Sequence, residues 1–327
     1  MKKALFCYFG RFGDHTAPIP GHPLYQIFFL NSISKKFGID KFDIFYYDEY
    51  DYDIKDNFVV LSEYRQKLKD ALIDKDNLSF DEALNNKYDV VFLKYRFRNY
   101  SRLKEGSLDR LKFEKLADVH YNNSWIIDTD AEIKKTDYFP RILSLFLKDF
   151  DYPSKHTTKI IPVLHTDIQE CIREIEKKEM MMFIGNEYNK SGIHNILELS
   201  HKWNLKTFVQ GKWKKQAYID SILDRTDRVY GYRNLENALF TVQASKDIYQ
   251  TYDFMSPRIF ESYLLSTLVF GNYSFFPKFS KYSNDVVLQE KIRFLTEINS
   301  KEYFKILKLE IEELYSNLEE VLDPTTM

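Results

Sequence analysis

Residues 256–272 read SPRIFESYLLSTLVFGN, and the way this run folds decides the class of the whole chain. Ser256 suits a helix N-cap, and Pro257 suits the first helical position, where a missing N–H costs nothing. An apolar helix follows and passes directly into TLVFGN, a short run with the composition of a buried strand. A helix feeding a buried strand is the repeating unit of a parallel α/β sheet. Arg258 and Glu261 break the apolar pattern of that helix. A cation in the first turn opposes the macrodipole unless an anion lies close by. Glu261, three residues on, shares its face. Two readings fit: an exposed local ion pair, or two ligands for one molecule, with Arg258 on a diphosphate and Glu261 accepting from the vicinal hydroxyls of a ribose.

Working outward, the same alternation fills the chain. Strands are expected at 4–9 (ALFCYF), 42–47 (FDIFYY), 89–94 (DVVFLK), 124–128 (SWIID) and 159–164 (KIIPVL). Helices are expected between them at 24–38, 62–73, 107–117 and 139–150. The pattern restarts with the strand and polar loop EMMMFIGNEYNKSG (179–192) and the helix IHNILELSHKW. The strand KTFVQG, the helix KKQAYIDSILD, a short strand RVYGY and the run ALFTVQAS come next. IRFLT (292–296) is expected as a further strand before the closing helices. The fold class is therefore α/β, with two Rossmann-like domains facing a cleft. The expected division is 1–172, 173–300 and a C-terminal helical segment 301–327 that packs back toward the N-terminal domain. The charged run DIQECIREIEKK would be a connecting helix.

Composition agrees with two ordinary cores. Of 327 residues, 44% are hydrophobic, and only 10 are Gly and 9 Pro, which argues against disorder. Only two cysteines occur, Cys7 and Cys171, far apart and without metal-ligand spacing, which points to a reduced, cytoplasmic compartment. MKKALFCYFG lacks a long apolar core and a cleavage site, so it is read as a buried strand and not as a signal peptide. No run approaches the roughly 18 apolar residues of a membrane span. The net charge of −2 hides two basic stretches, 94–115 and 202–233, each with eight basic and three acidic residues.

In parallel sheets, ligands bind beyond the carboxyl ends of the strands. GNEYNKSGIHN (185–195) is such a loop, passing from strand to helix. It is neither a dinucleotide fingerprint nor a Walker sequence. Its Lys190 and His194 are four residues apart and could face one phosphate; the alternative for His194 is an ordinary surface position.

Taken together, SPRIFESYLLSTLVFGN and MFIGNEYNKSGIH resemble the donor-binding segments of GT-B glycosyltransferases, and more specifically of the phage DNA β-glucosyltransferases. MKKALFCYFG with APIPGHPLYQIFF, KDIYQTYDFMSPRIFE and VYGYRN extend the resemblance nearly end to end. It implies that Arg258 and Glu261 hold phosphate and ribose. It implies a glycine loop at Gly185, with Lys190 and His194 standing where the family has arginines. Asp247 and Tyr249 would lie near the donor phosphates, and Gly231 and Tyr232 would read the uracil. An inverting transfer needs a general base beside the acceptor hydroxyl. In WIIDTDAEIKK the resemblance puts that base at Asp130, leaving Asp128 a structural or capping role. His22 replaces a glutamate of the family. It could bind sugar or acceptor, or act as base, since imidazole titrates near neutral pH.

For the acceptor, KYRFRNYSRLK (94–104) interleaves Lys94, Arg96, Arg98 and Arg102 with aromatic residues. That composition suits phosphate contacts and stacking on an extruded base. It equally suits an ordinary basic loop or an anionic glycan, and a sequence pI near 6.4 is low for a dedicated DNA-binding enzyme. The expected function is transfer of glucose from UDP-glucose, with inversion, to a hydroxymethylated base in phage DNA. The alternatives are a GT-B enzyme acting on a surface polysaccharide, and a non-catalytic nucleotide- or DNA-binding module. The expected partners are the nucleotide sugar, as co-substrate and not as a tightly bound cofactor, and duplex DNA with modified pyrimidines. A monomer without membrane attachment or protein-held metal is expected, with dependence on Mg or Mn left open.

Overall fold

The computed structural model describes residues 2–8, 22–47, 67–95, 107–128, 133, 138–146, 148, 150–160, 172–187, 191–223, 228–243, 251–252, 258–271 and 285–321. The chain separates into two compact units, dividing between His165 and Thr166.

The first unit is a seven-stranded sheet made of β1 (Ala4–Tyr8), β2 (Phe42–Tyr46), β3 (Ile73–Lys75), β4 (Val90–Tyr95), β5 (Ser124–Asp128), β6 (Arg141–Ser144) and β7 (His156–Lys159). The strand order is β3-β2-β1-β4-β5-β6-β7, and every pairing is parallel. Strands covered on both faces read as continuous apolar runs, and all five residues of β1 and of β2 are buried. Alternation assigns the faces. Leu5, Cys7, Phe45, Tyr47, Leu93 and Tyr95 point to one side, where they pack with residues of α2 (Phe80–Asn85) and α3 (Leu108–Val119). Phe6, Phe42 and Phe92 point to the other and meet edge to face, with centroids 6.2–6.3 Å apart. Phe37, the last residue of α1 (His22–Phe37), closes that face against Phe92 at 5.1 Å and Trp125 at 5.3 Å. A capping box starts α2. The Ser79 hydroxyl accepts from Glu82 N, and the Glu82 carboxylate accepts from Ser79 N.

The second unit is a five-stranded parallel sheet of β8 (Lys178–Ile184), β9 (Lys206–Gln210), β10 (Ser221–Leu223), β11 (Ala238–Gln243) and β12 (Leu268–Gly271). Its order is β10-β9-β8-β11-β12. Its helices are α4 (Ser191–Lys202), α5 (Arg228–Asn237), α6 (Arg258–Leu264), α7 (Asp285–Glu297) and α8 (Ser300–Val321). The last of these is tied to the sheet by Tyr303, whose hydroxyl donates to Leu239 O at 2.6 Å and accepts from Leu268 N at 3.0 Å. Among the described residues, no helix is long and apolar enough to cross a membrane.

Several expected elements are corrected. IRFLT is helical and lies within α7, whose buried Leu288, Ile292 and Leu295 follow a helical and not a strand period. RVYGY opens α5, with Tyr232 and Leu235 buried three apart. The helix expected at 139–150 is replaced by β6, where Ile142 and Leu143 are both fully buried because the strand is covered on both faces. KKQAYIDSILD contains a turn and β10 instead of a helix. The connector is not helical over 172–177, and Lys178 already belongs to β8; residues 161–171 lie outside the described ones. Of the strand read at 159–164, Lys159 ends β7 and residue 160 is not in a strand; residues 161–164 lie outside the described ones. Residues 67–72 are helical, as expected for that part of 62–73.

Candidate active site

In the second sheet the chain order reverses at β8, which has β9 on one side and β11 on the other. At such a reversal in a parallel α/β sheet, ligands bind beyond the carboxyl ends of the strands. The helices α5 and α6 bring Tyr232 and Glu261 together at this place. The Tyr232 hydroxyl donates to Glu261 Oε1 at 3.0 Å, and the two residues are only 8% and 4% exposed. A buried carboxylate is costly unless hydrogen-bonded, so the phenol is part of what allows Glu261 to sit there. Glu261 also borders a cavity of about 10 Å³ together with Ile184, Thr241, Gln243 and Ser262, at the carboxyl ends of β8 and β11. Arg258 opens the same helix three residues earlier, though its side chain lies outside the described ones.

Gly231 stands beside Tyr232 on α5. A β-carbon there would lie 2.1 Å from Gln210 Oε1, so any larger residue would have to displace the Gln210 side-chain amide. Gln210 is itself 3% exposed.

The loops after β8 and β9 are stitched to each other. Gly185 N–H donates to Gln210 O at 2.9 Å, and Gly185 O accepts from the Trp213 indole N–H at 2.6 Å. Asn186 Oδ1 accepts from Lys212 N at 2.9 Å, and Glu187 Oε2 accepts from Lys214 N at 2.8 Å. Gly211 makes this approach feasible. Its φ is +130°, and a β-carbon would meet Gly185 O at 2.6 Å. His194, in the first turn of α4, joins the same assembly. Its Nε2 lies 3.3 Å from Glu187 Oε1, its Nδ1 2.8 Å from the Tyr218 hydroxyl, and its ring meets Trp213 edge-on at 5.7 Å. Burial, and after it the charges of Glu198 and Glu187, raise the Tyr218 phenol above its ordinary pKa. The structure thus gathers Gly185 and His194, but the Gly185 N–H is given to Gln210 and both imidazole nitrogens face protein groups.

Glu187, Gln210, Trp213 and Tyr218 were not legible as site residues in the sequence. The usable signal was Trp213, a large indole in an otherwise basic loop at the end of a strand.

In the first unit, Asp128 ends β5 fully buried, and its Oδ2 accepts from Ile133 N at 3.2 Å. That is the structural or capping role expected of it. Lys94 is fully buried on β4 and does not lie on an exposed basic face. His22 begins α1, with its side chain outside the described residues. Arg96, Arg98, Arg102, Asp130, Lys190, Asp247 and Tyr249 lie outside the described residues. Among those described, no group of three or more His, Cys, Asp or Glu is gathered as a metal centre would need.

No protein-family model matches the sequence, and no curated protein matches it. Solved structures do. One is the DNA-modifying β-glucosyltransferase of phage T4, determined in the presence and absence of uridine diphosphoglucose. It has 12% identity, coverage of 98% of this chain and 99% of that one, and a TM-score of 0.57. Another is Anabaena Alr3699/HepE in complex with UDP and glucose, at 9% identity, full coverage of both chains and a TM-score of 0.48. AviGT4, a glycosyltransferase of avilamycin A biosynthesis, matches at 11% identity over 99% of each chain, with a TM-score of 0.45. Two parallel α/β sheets in one chain, and an end-to-end match to the first of these structures, give this protein the GT-B fold.

Proposed function

We propose that the protein is a nucleotide-sugar-dependent glycosyltransferase that moves glucose from UDP-glucose, with inversion, to a hydroxymethylated base in DNA. The observation that carries the donor half is the buried Tyr232–Glu261 contact at the carboxyl ends of the second sheet. A carboxylate has about four acceptor positions, so a glutamate can hold several donors at once, as the vicinal hydroxyls of a ribose require. Arg258, one turn earlier, and Lys190 supply positive charge to the diphosphate, with Asp247 and Tyr249 beside it. Gly231 and Tyr232 flank the base. His194 supports the 185–194 loop through Glu187 and Tyr218.

In the transfer, Asp130 takes the proton from the acceptor hydroxyl. The freed oxygen attacks the anomeric carbon from the face opposite the leaving group. A carbon–oxygen bond to the acceptor forms as the bond to the β-phosphate oxygen breaks, and UDP leaves with the electron pair. Cations near the diphosphate stabilise the charge that develops there. His22 contacts sugar or acceptor, or shares the base role. Arg96, Arg98 and Arg102 bind DNA phosphates.

A glycan acceptor is the second reading. It is favoured by the burial of Lys94, which removes one cation from the DNA-facing run, and by the pI near 6.4. Purified protein incubated with UDP-glucose and duplexes carrying 5-hydroxymethylcytosine, or plain cytosine, separates the two. A mass gain of one hexose on the modified duplex only is expected. Transfer to oligosaccharide with none to DNA would replace the DNA reading by the glycan one.

A further inference from the structure

The helices that carry Tyr232 and Glu261 both end at the amino end of the second sheet, and one side chain reaches both ends. Lys177, the residue before β8, donates from Nζ to Glu236 O at 2.5 Å, in the last turn of α5. The same Nζ lies 3.4 Å from Leu265 O, just past α6, and 3.5 Å from Thr267 Oγ1. Thr267 Oγ1 donates in turn to Leu235 O at 2.5 Å, so the end of α5 is bonded directly to the segment after α6. The Tyr303 ring covers the amine, with its centroid 5.7 Å from Nζ. Three acceptors match the three N–H groups of an ammonium, and helix C-termini favour a cation.

The spacing connects this clamp to the site. Tyr232 lies four residues before Glu236 on α5, and Glu261 lies four before Leu265, whose N–H donates to Glu261 O at 3.0 Å. Each site residue is therefore about one helical turn, roughly 6 Å, from the carbonyl that Lys177 holds. We infer that Lys177 is a positioning residue of the donor site, whose ammonium fixes α5 against α6 and thereby sets the Tyr232–Glu261 contact. The inference rests on the donor-site reading above.

A cavity of about 530 Å³ opens beside the clamp, lined by Lys177, Glu174, Glu176, Leu239, Tyr303 and Phe304 among others, so a proton can reach the amine. Burial lowers the Lys177 pKa to about 7, against the opposing charge of Glu236. The titratable groups around it are Glu236 from α5, Tyr303 from α8, and Glu174 and Glu176 on its own segment. The turn after α6 faces it with a carbonyl and a hydroxyl. Near neutrality the clamp thus passes from three donors to two.

Calorimetric titration with UDP-glucose, which has no group ionising near neutrality, tests this between about pH 6 and about pH 9. The wild type should lose about tenfold in affinity across a step near neutrality. Lys177→Arg stays charged, so it should bind within about threefold of wild type at the acid end and show no step. Lys177→Met, verified as folded by circular dichroism and melting, should bind about tenfold more weakly at the acid end. Wild-type affinity in folded Lys177→Met overturns the inference. So does a wild-type step surviving in Lys177→Arg, because that step then belongs to another group. If Lys177→Met does not fold, the Lys177→Arg profile decides. A wild type that binds no UDP-glucose at any pH brings down the donor-site reading itself, and the inference with it.

Discussion

Glu261 is 4% exposed and has the Tyr232 phenol on one carboxyl oxygen, an arrangement that keeps a polar group on an otherwise apolar helix face. Removing that hydroxyl deletes a buried hydrogen bond to Glu261. Tyr232→Phe should destabilise the second unit by about 1–3 kcal/mol, measured by urea unfolding; unchanged stability would mean that the contact carries no energy. Gly211 is constrained from another direction, by its φ of +130° and by Gly185 O, 2.6 Å from where a β-carbon would sit. Gly211→Ala should cost about 1–3 kcal/mol by the same measurement. Glu261 was legible in the sequence because a charged residue on an apolar helix face is anomalous. Its contact with Tyr232 was not, since a hydrogen bond between positions 29 apart depends on how two helices settle on one sheet.

At the level of elements, β1, β2, β4, β5, β8, β9, β11 and β12 were readable because strands buried on both faces form unbroken apolar runs. The same property hid α7 and β6. A short, largely apolar run fits either geometry, and the choice is made by the neighbours it packs on. The stitching of the β8 and β9 loops was invisible for a related reason. Its bonds use backbone groups of Gly185, Lys212 and Lys214, which any sequence possesses. Trp213→Phe keeps the ring against Phe183 and His194 but deletes the N–H that holds Gly185 O. It should lower stability by about 1 kcal/mol and weaken UDP-glucose binding, since it frees the loop presumed by the donor reading to border the diphosphate. Unaltered affinity on calorimetric titration would separate this loop from the donor site.

Across the whole molecule, the buried phenols set an alkaline limit. Burial raises the pKa values of Tyr47, Tyr88 and Tyr303 above the ordinary phenolic value. These groups stay protonated in the folded chain when their unfolded counterparts ionise. Above about pH 10 the unfolded state therefore binds fewer protons, and stability falls as pH rises, by up to about 1.4 kcal/mol per pH unit for each group. Calorimetric melting should show a steep fall in Tm beyond that point, and a flat profile would contradict the burial of these rings. The GT-B fold supplies two sheets, but the chemistry rests on whether the carboxyl end of the second holds a nucleotide sugar. The most direct measurement is calorimetric titration of UDP-glucose into wild type and Glu261→Gln. Saturable one-to-one binding, weakened by about 1.5–3 kcal/mol in the variant, is predicted from the loss of a charged hydrogen-bond acceptor. Equal affinity in the two proteins, or no binding to either, would contradict the account.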